Sequence, residues 1–230
     1  VGEKGYRQID INLGCPFPMI AGKHKGAGML LYPAQVAEVL APIAEYPEIQ
    51  FSLKMRLGWE NASECMVLVE LLNAIRLSRI ALHARTGKQQ YKGHPDLEAF
   101  QGFYELCQHP LYYNGGIESL SDIRQILTRF PLLKGVFIGR GLLSSPLLAK
   151  EFKGNETFLP EQRMSIYFAF HEELFSAYSQ VLQGETQLLV KMKTLWEYFL
   201  PETDRKLLKR IKKSTRLQQY TESVKAIFTS

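Results

Sequence analysis

The 230-residue sequence has few of the features that mark secreted or membrane proteins. It contains three cysteines, Cys15, Cys65 and Cys107, an odd and sparse set that suits a reducing cytoplasm better than a disulfide framework. No apolar run approaches the roughly 18 residues of a membrane-spanning helix, and no charged and then apolar leader opens the chain. Apolar residues make up 46% and charged residues 22%, as in soluble globular proteins. We therefore expect a cytoplasmic protein without a membrane partner.

Metal-ligand spacing is also missing. No pair of histidines, cysteines or carboxylates has the spacing of a metal site, so we predict no metal. We expect structural roles for two cysteines and four histidines: Cys65, Cys107, His24, His94, His109 and His171.

What the sequence does have is an alternation of β-rich and helical segments over its first two thirds. The β-rich runs lie at 6–13, 49–55, 79–83, 111–114 and 135–139, and helical periodicity follows them at, for example, 34–44, 64–75 and 120–129. This rhythm predicts a parallel α/β sheet. The glycine-rich turns close the last two strands, where an eight-stranded barrel binds phosphate, whereas a dinucleotide fold has them after its first strand. We predict strands 4–8 of a TIM (β/α)8 barrel that lacks its first three βα units.

From about residue 153 the β-rich runs stop, and four apolar stripes at helical spacing predict a small all-α bundle. We place the domain boundary between residues 1–152 and 153–230. The net charge is +5, and seven basic residues cluster between 203 and 216: Arg205, Lys206, Lys209, Arg210, Lys212, Lys213 and Arg216. We expect Arg205, Lys209, Lys212 and Arg216 to form one stripe of a single helix. Such a block indicates a polyanionic partner, or else a solvated helix face.

Cys15 stands out among the candidate catalytic residues. It lies between Gly14 and Pro16 at the end of the first predicted strand, the edge at which barrel active sites are built. No basic residue adjoins it in sequence to make it a thiolate. The pattern therefore favours a general acid over a nucleophile.

Three further polar residues follow the next two predicted strands. Lys54 needs an anion or an electron-rich carbonyl if it is desolvated, and otherwise it is a solvated strand-end lysine. Arg85 can hold a carboxylate, a phosphate or a base edge in bidentate fashion. His83 shares the same predicted loop as Arg85, and we interpret both as site residues.

The last two predicted strands end in Asn114-Gly115-Gly116 and in Gly139-Arg140. Glycines let main-chain N–H groups approach a phosphate, and a following helix adds a favourable dipole. Either motif alone is a weak signal, whereas the two together predict a monophosphate site.

The ordered motifs DINLGCP, SLKMRLG, LHARTGKQQYKG, YNGGI and FIGRG resemble those of the tRNA-dihydrouridine synthase family. The resemblance covers roughly residues 6–152, and the helical tail stands in the place of the family's tRNA-binding domain. It implies an FMN-dependent barrel that uses NADPH to reduce a uridine of tRNA to 5,6-dihydrouridine. It also implies a cytoplasmic protein, which we expect to be monomeric when full length.

The resemblance also assigns roles to residues of this sequence. Cys15 matches the cysteine that protonates the uracil ring, and Asn12 and Arg85 match positions near the substrate base. The implied FMN-contacting positions are Lys54, His83, Asn114, Gly115, Gly116, Gly139 and Arg140. The implied tRNA contacts of the tail are Arg205, Lys206, Lys209, Arg210, Lys212 and Lys213. Gly116 stands where the family usually has an aspartate, and the front of the family's barrel, with an FMN-binding loop and a flavin-contacting glutamine, is missing.

Two other functions remain open. One is a different FMN-dependent barrel oxidoreductase that acts on a small molecule, such as an ene-reductase or a relative of dihydroorotate dehydrogenase. The other is an inert truncated barrel whose helical bundle only binds RNA. Flavin absorbance on purification separates an enzyme from this binding module.

Overall fold

The computed structural model describes residues 5–229, which fall into two compact units. The first unit comprises the residues up to Ile117 together with Ser121–Ile138, and the second comprises Glu118–Leu120 and the chain from Gly139 onward. The separate functions expected of 1–152, FMN binding, and of 153–230, tRNA binding, stay predictions.

The first unit is built on a five-stranded sheet in which every pair of neighbours is parallel. The strands are β1 (Gln8–Leu13), β2 (Gln50–Gly58), β3 (Arg79–Thr86), β4 (Leu111–Asn114) and β5 (Gly135–Phe137). Their spatial order is their sequence order, as in consecutive strands of a (β/α)8 barrel, whereas the order reverses in a doubly wound sheet. The predicted α/β barrel class, followed by a helical region, is confirmed.

Two strands run further than the sequence predicted. β2 continues to Gly58 and β3 to Thr86, which places Arg56 and Arg85 inside strands. The apolar alternation continues through these extensions, since Leu57 is fully buried. The polar residues between the apolar ones therefore lie on the other face of the same strands.

Helices connect the strands and cover the apolar face of the sheet. They are α1 (Pro18–Ala21), α2 (Pro33–Leu40), α3 (Glu64–Asn73), α4 (Leu97–Leu106) and α5 (Leu120–Arg129), with 3₁₀ segments at Gly26–Leu31 and Ala41–Glu45. Leu13, Met55, Leu82 and Tyr113 are register partners on successive strands, and all four are buried. Phe100 of α4 packs edge-on against Tyr113, with ring centroids 4.9 Å apart. This row anchors the core of the first unit.

The second unit is helical, as the sequence predicted. Its helices are α6 (Arg140–Ser144), α7 (Leu148–Gly154), α8 (Pro160–Val181), α9 (Glu185–Leu195), α10 (Arg205–Lys213) and α11 (Leu217–Phe228). Its core contains a chain of polar groups in which the Trp196 indole N–H donates to the Tyr220 hydroxyl (3.0 Å), which lies 2.7 Å from Nε2 of His171. Burial and the hydroxyl partner make His171 a structural residue, as expected.

Candidate active site

One face of the sheet collects polar side chains from four neighbouring strands. Asn12 of β1 is the register partner of Lys54 of β2. Arg56, two residues further along β2, is the partner of His83, which is in turn the partner of Asn114. Register partners, and residues two apart on a strand, project from the same face. All five therefore lie on one face, opposite the apolar row, towards the carboxyl ends of the strands.

Cys15 lies in a turn that main-chain groups hold in place. The N–H of Gly14 donates to Oδ1 of Asn12 (2.9 Å), and the N–H of Ala27 donates to the carbonyl of Cys15 (2.9 Å). The Cys15 side chain is half-buried. This thiol therefore follows β1 directly, at the end of the polar face.

Lys54 is a half-buried cation within β2. Burial lowers the pKa of its ammonium to about 8; the neighbouring Arg56 lowers it further, and Asp10 opposes the change. A desolvated ammonium on which the positive neighbour acts more strongly than the negative one is stabilised by an added anionic group. This environment speaks against the solvated-lysine alternative.

Arg56 is a site residue that the sequence analysis missed. Its side chain is only 2% exposed, and its guanidinium donates to the carbonyls of Gly14 (3.0 Å), Thr86 (2.9 Å) and Gln90 (2.8 Å). The signal available in the sequence was its position two residues after Lys54, since that spacing puts both side chains on one face of a strand.

His83 and Arg85 form a buried pair on β3. Nη1 of Arg85 lies 3.2 Å from Nε2 of His83, and the guanidinium also donates to the carbonyl of Gly93 through Nε (3.3 Å) and Nη2 (3.0 Å). The register between β2 and β3 shifts between Arg56 and Gly58, next to this pair.

The Asn114-Gly115-Gly116 segment ends β4 close to the same histidine. The amide of Asn114 donates to the carbonyl of Phe137 (2.8 Å). Gly116 has φ of +62°, and a Cβ at this position would lie 3.0 Å from Cγ of Pro95. Both constraints favour glycine over the aspartate expected from the family resemblance.

Gly139 and Arg140 belong to the second unit. Gly139 precedes α6, and its carbonyl accepts from the N–H of Leu142 (3.0 Å). Arg140 begins the helix and is half-buried. The joint monophosphate site with Asn114, Gly115 and Gly116 stays a prediction.

The basic block forms α10, which is shorter than the predicted stripe. Asp204 caps its start by accepting from the N–H groups of Lys206 (2.8 Å) and Leu207 (3.1 Å). The helix ends at Lys213, because Ser214 turns away with ψ of 134°, so the expectation that Arg216 continues the stripe was wrong. The exposed basic side chains of α10 are Arg205, Lys206, Lys209, Arg210, Lys212 and Lys213.

The thiols of the other two cysteines, Cys65 and Cys107, both have raised pKa values. Cys65 is buried in α3, and burial raises its pKa to about 12; burial also raises the pKa of Cys107. Within residues 5–229, no cluster of three or more His, Cys, Asp or Glu side chains could hold a metal ion. Over the same range, no helix has the length and apolar character needed to cross a membrane.

Comparison with known proteins gives a consistent result. A family model described as dihydrouridine synthase matches residues 1–229. A Rhizobium leguminosarum protein named "Probable tRNA-dihydrouridine synthase" is 32% identical over 145 residues, which are 63% of this chain and 45% of that protein. The tRNA-dihydrouridine synthase B of Vibrio vulnificus is 28% identical over 163 residues, 69% of this chain and 50% of that protein. The chain spans about half the length of the curated relatives it matches.

Proposed function

The chain belongs to the dihydrouridine synthase family, and from this premise we propose that it serves in the FMN- and NADPH-dependent reduction of a uridine of tRNA to 5,6-dihydrouridine. The observation that carries the proposal is the shared polar face, on which Asn12, Lys54 and His83 lie beside the Cys15 turn. An enzyme of this class needs a cofactor site and a proton donor at one end of the barrel.

The donor set suits an anionic, phosphate-bearing cofactor. Lys54 and Arg56 place two cations on one face, and the carboxylate of Asp10 acts on Lys54. We assign Lys54 and His83 to the flavin ring. We assign phosphate contacts to the main chain of Asn114, Gly115 and Gly116 in the first unit. The phosphate contacts of Gly139 and Arg140, in the second unit, are a separate proposal. Bound FMN would supply the hydride, because hydride chemistry resides in the cofactor.

The remaining steps fall to the protein's own side chains. Cys15 donates its thiol proton to the uracil carbon next to the one that receives hydride, acting as a general acid. Asn12 and Arg85 orient the base. Because the base must leave its stack to reach this edge, the six exposed cations of α10 are assigned to the tRNA backbone, where such contacts position the substrate.

The test is to incubate the chain with FMN, NADPH and unmodified tRNA transcripts, and to count dihydrouridine by nucleoside mass spectrometry. We expect product that requires all three components and that Cys15→Ala lacks. Comparable reduction of free uridine without tRNA would favour the small-molecule oxidoreductase. Binding of tRNA without binding of FMN, even at millimolar FMN, would favour the RNA-binding module.

A further inference from the structure

Arg56 is a buried cation that donates hydrogen bonds to three main-chain carbonyls. Its three acceptors come from three separate segments: the turn before Cys15 (Gly14), the end of β3 (Thr86) and the loop that follows (Gln90). Among the residues that the structure describes, no ion pair joins it to a carboxylate. The guanidinium also lies over the Tyr91 ring, 5.5 Å from its centroid.

Burying such a group is costly for the fold, and its pKa reflects this. Burial lowers the pKa of Arg56; Tyr91 opposes the change, Arg85 adds to it, and Cys15 also opposes it. A buried charge left without an opposite charge destabilises the fold unless its donors are satisfied. An apolar residue would cover the same strand position at lower cost, so the arginine indicates a function that an apolar side chain cannot perform.

The loop after β3 has an unusual main-chain conformation at the residue that accepts from the guanidinium. Gln90 has φ of 52°, the left-handed region that residues other than glycine seldom adopt, and its carbonyl makes the shortest of the three Arg56 hydrogen bonds, at 2.8 Å. Residues held in this conformation persist where the surrounding structure fixes them, often at functional sites. Arg56 thus links a strained loop to the turn of the proposed proton donor.

We propose that Arg56 is a positioning residue that holds the Cys15 turn against the Thr86–Gln90 loop, so that the thiol is presented at a fixed place for proton transfer. The inference rests on the proposed role of Cys15. The other two residues that bond to the turn are Asn12 of β1 and Ala27 of the 3₁₀ segment Gly26–Leu31. Arg56 alone among these residues ties the turn to the loop after β3, which also carries Tyr91.

The consequence for catalysis follows from geometry. A proton donor must lie within hydrogen-bond reach of its acceptor, and a displacement of about 1 Å can cost about 100-fold in rate. If Arg56 positions the thiol, its loss lowers kcat and leaves the KM for tRNA nearly unchanged. Loss of a residue that only stabilises the fold lowers the melting temperature, and it does not lower kcat selectively at a constant KM.

The experiment compares Arg56→Met and Arg56→Lys with a control, Arg79→Met. The control changes an exposed arginine at the first position of β3. Amide hydrogen exchange of a peptide covering residues 12–28 is measured on the folded chain, with an α3 peptide as the internal reference for global opening. We expect exchange in the Cys15 turn to accelerate by about tenfold or more in Arg56→Met, while the α3 peptide and Arg79→Met match the parent. Arg56→Lys keeps the charge but lacks the planar donors, so we expect partial recovery; it also serves as the test if Arg56→Met does not fold.

A second readout is dihydrouridine formation, for which we expect kcat to fall by about 10- to 100-fold at nearly constant KM. Unchanged exchange in the Cys15 turn of a folded Arg56 variant would overturn the positioning role. That result does not depend on turnover, so it stands even if the chain forms no dihydrouridine. Absence of product from the parent would instead count against the proposed function.

Discussion

Nη1 of Arg85 lies 3.2 Å from Nε2 of His83, and both residues are at most 6% exposed. Arginine has no acceptor, so Nε2 of His83 accepts this hydrogen bond and the ring proton of the neutral imidazole resides on Nδ1. The pair therefore joins a neutral imidazole to a cation that the Gly93 carbonyl holds in place.

The first prediction concerns the proton donor. We expect Cys15→Ala to lower dihydrouridine formation by about 10²- to 10⁴-fold, the usual loss when a general acid is removed. FMN affinity and NADPH oxidation without tRNA should stay at parental values, because the thiol takes part in neither. The matched control is Cys107→Ala, which removes a half-buried thiol at the end of α4. Normal turnover by Cys15→Ala would contradict the assignment.

The second prediction concerns the charge of Lys54. Because its pKa in the ligand-free protein is about 8, we expect FMN affinity to weaken as the pH rises through 8 and the ammonium loses its proton. Lys54→Arg should remove this dependence, because arginine stays charged, and Lys88→Arg serves as an exposed control. Fluorescence titration of FMN from pH 6.5 to 9.5 measures the effect, and a flat parental profile would refute it.

The same pKa predicts a change in stability. The pKa in the folded state lies below the unfolded value of 10.5, so between about pH 8 and 10.5 the unfolded chain binds more protons. The free energy of unfolding contributed by Lys54 should therefore rise over this range. Urea denaturation of the parent and of Lys54→Met, without FMN, should show a difference in the free energy of unfolding. This difference should shrink as the pH rises over the same range.

The third prediction concerns the phosphate. Arg140→Ala removes a contact worth about 1.5–3 kcal/mol, the range for hydrogen bonds to charged groups, so FMN affinity should fall by about 10- to 100-fold. Affinity for riboflavin, which lacks the phosphate, should be the same in both proteins. Arg129→Ala, which breaks a surface ion pair with Glu98, is the control. Equal FMN affinities of Arg140→Ala and parent would exclude a phosphate role for Arg140.

The fourth prediction concerns α10. Changing Lys209, Lys212 and Lys213 to glutamate should weaken tRNA binding and flatten its salt dependence, by somewhat less than one unit of slope for each lost phosphate contact. A charge-matched control changes Lys150, Lys153 and Lys191 of the same unit. Filter binding from 50 to 300 mM salt compares the two. If both triple variants keep the parental slope, α10 is a solvated helix face.

The fifth prediction concerns the core of the second unit. Tyr220→Phe leaves the indole N–H of Trp196 and Nε2 of His171 without their shared partner. We expect a loss of about 1–3 kcal/mol in the free energy of unfolding, the cost of unsatisfied buried polar groups. Tyr178→Phe on α8, which removes a hydroxyl from a half-buried tyrosine, is the control. Chemical denaturation gives the free energy of unfolding of each variant, and the two values are comparable when the m-values match.

The sequence alone predicted what depends on short-range pattern. Alternation of strand and helix gave the five strands and the helical tail, and the order of the motifs identified the family. The role of Arg56 was out of reach, since its acceptors Gly14, Thr86 and Gln90 are 30 to 42 residues away in the chain. The end of α10 was missed because a continuous run of basic residues shows no break. The bend at Ser214 is stabilised by a contact with α9, since the Ser214 carbonyl accepts from the Lys193 ammonium at 2.8 Å.

The single polar face of the sheet constrains how this protein can change over evolution. Along β2 the cations Lys54 and Arg56 alternate with the buried Leu53, Met55 and Leu57. Inserting or deleting one residue would move every side chain beyond that point to the other face of the sheet. The cations would then point into the core, and the apolar residues would lie on the polar face. Length changes within a strand are thus tolerated only in steps of two, unless a bulge absorbs the odd residue, as between β2 and β3. Length variation by single residues is therefore expected in the loops rather than in the strands.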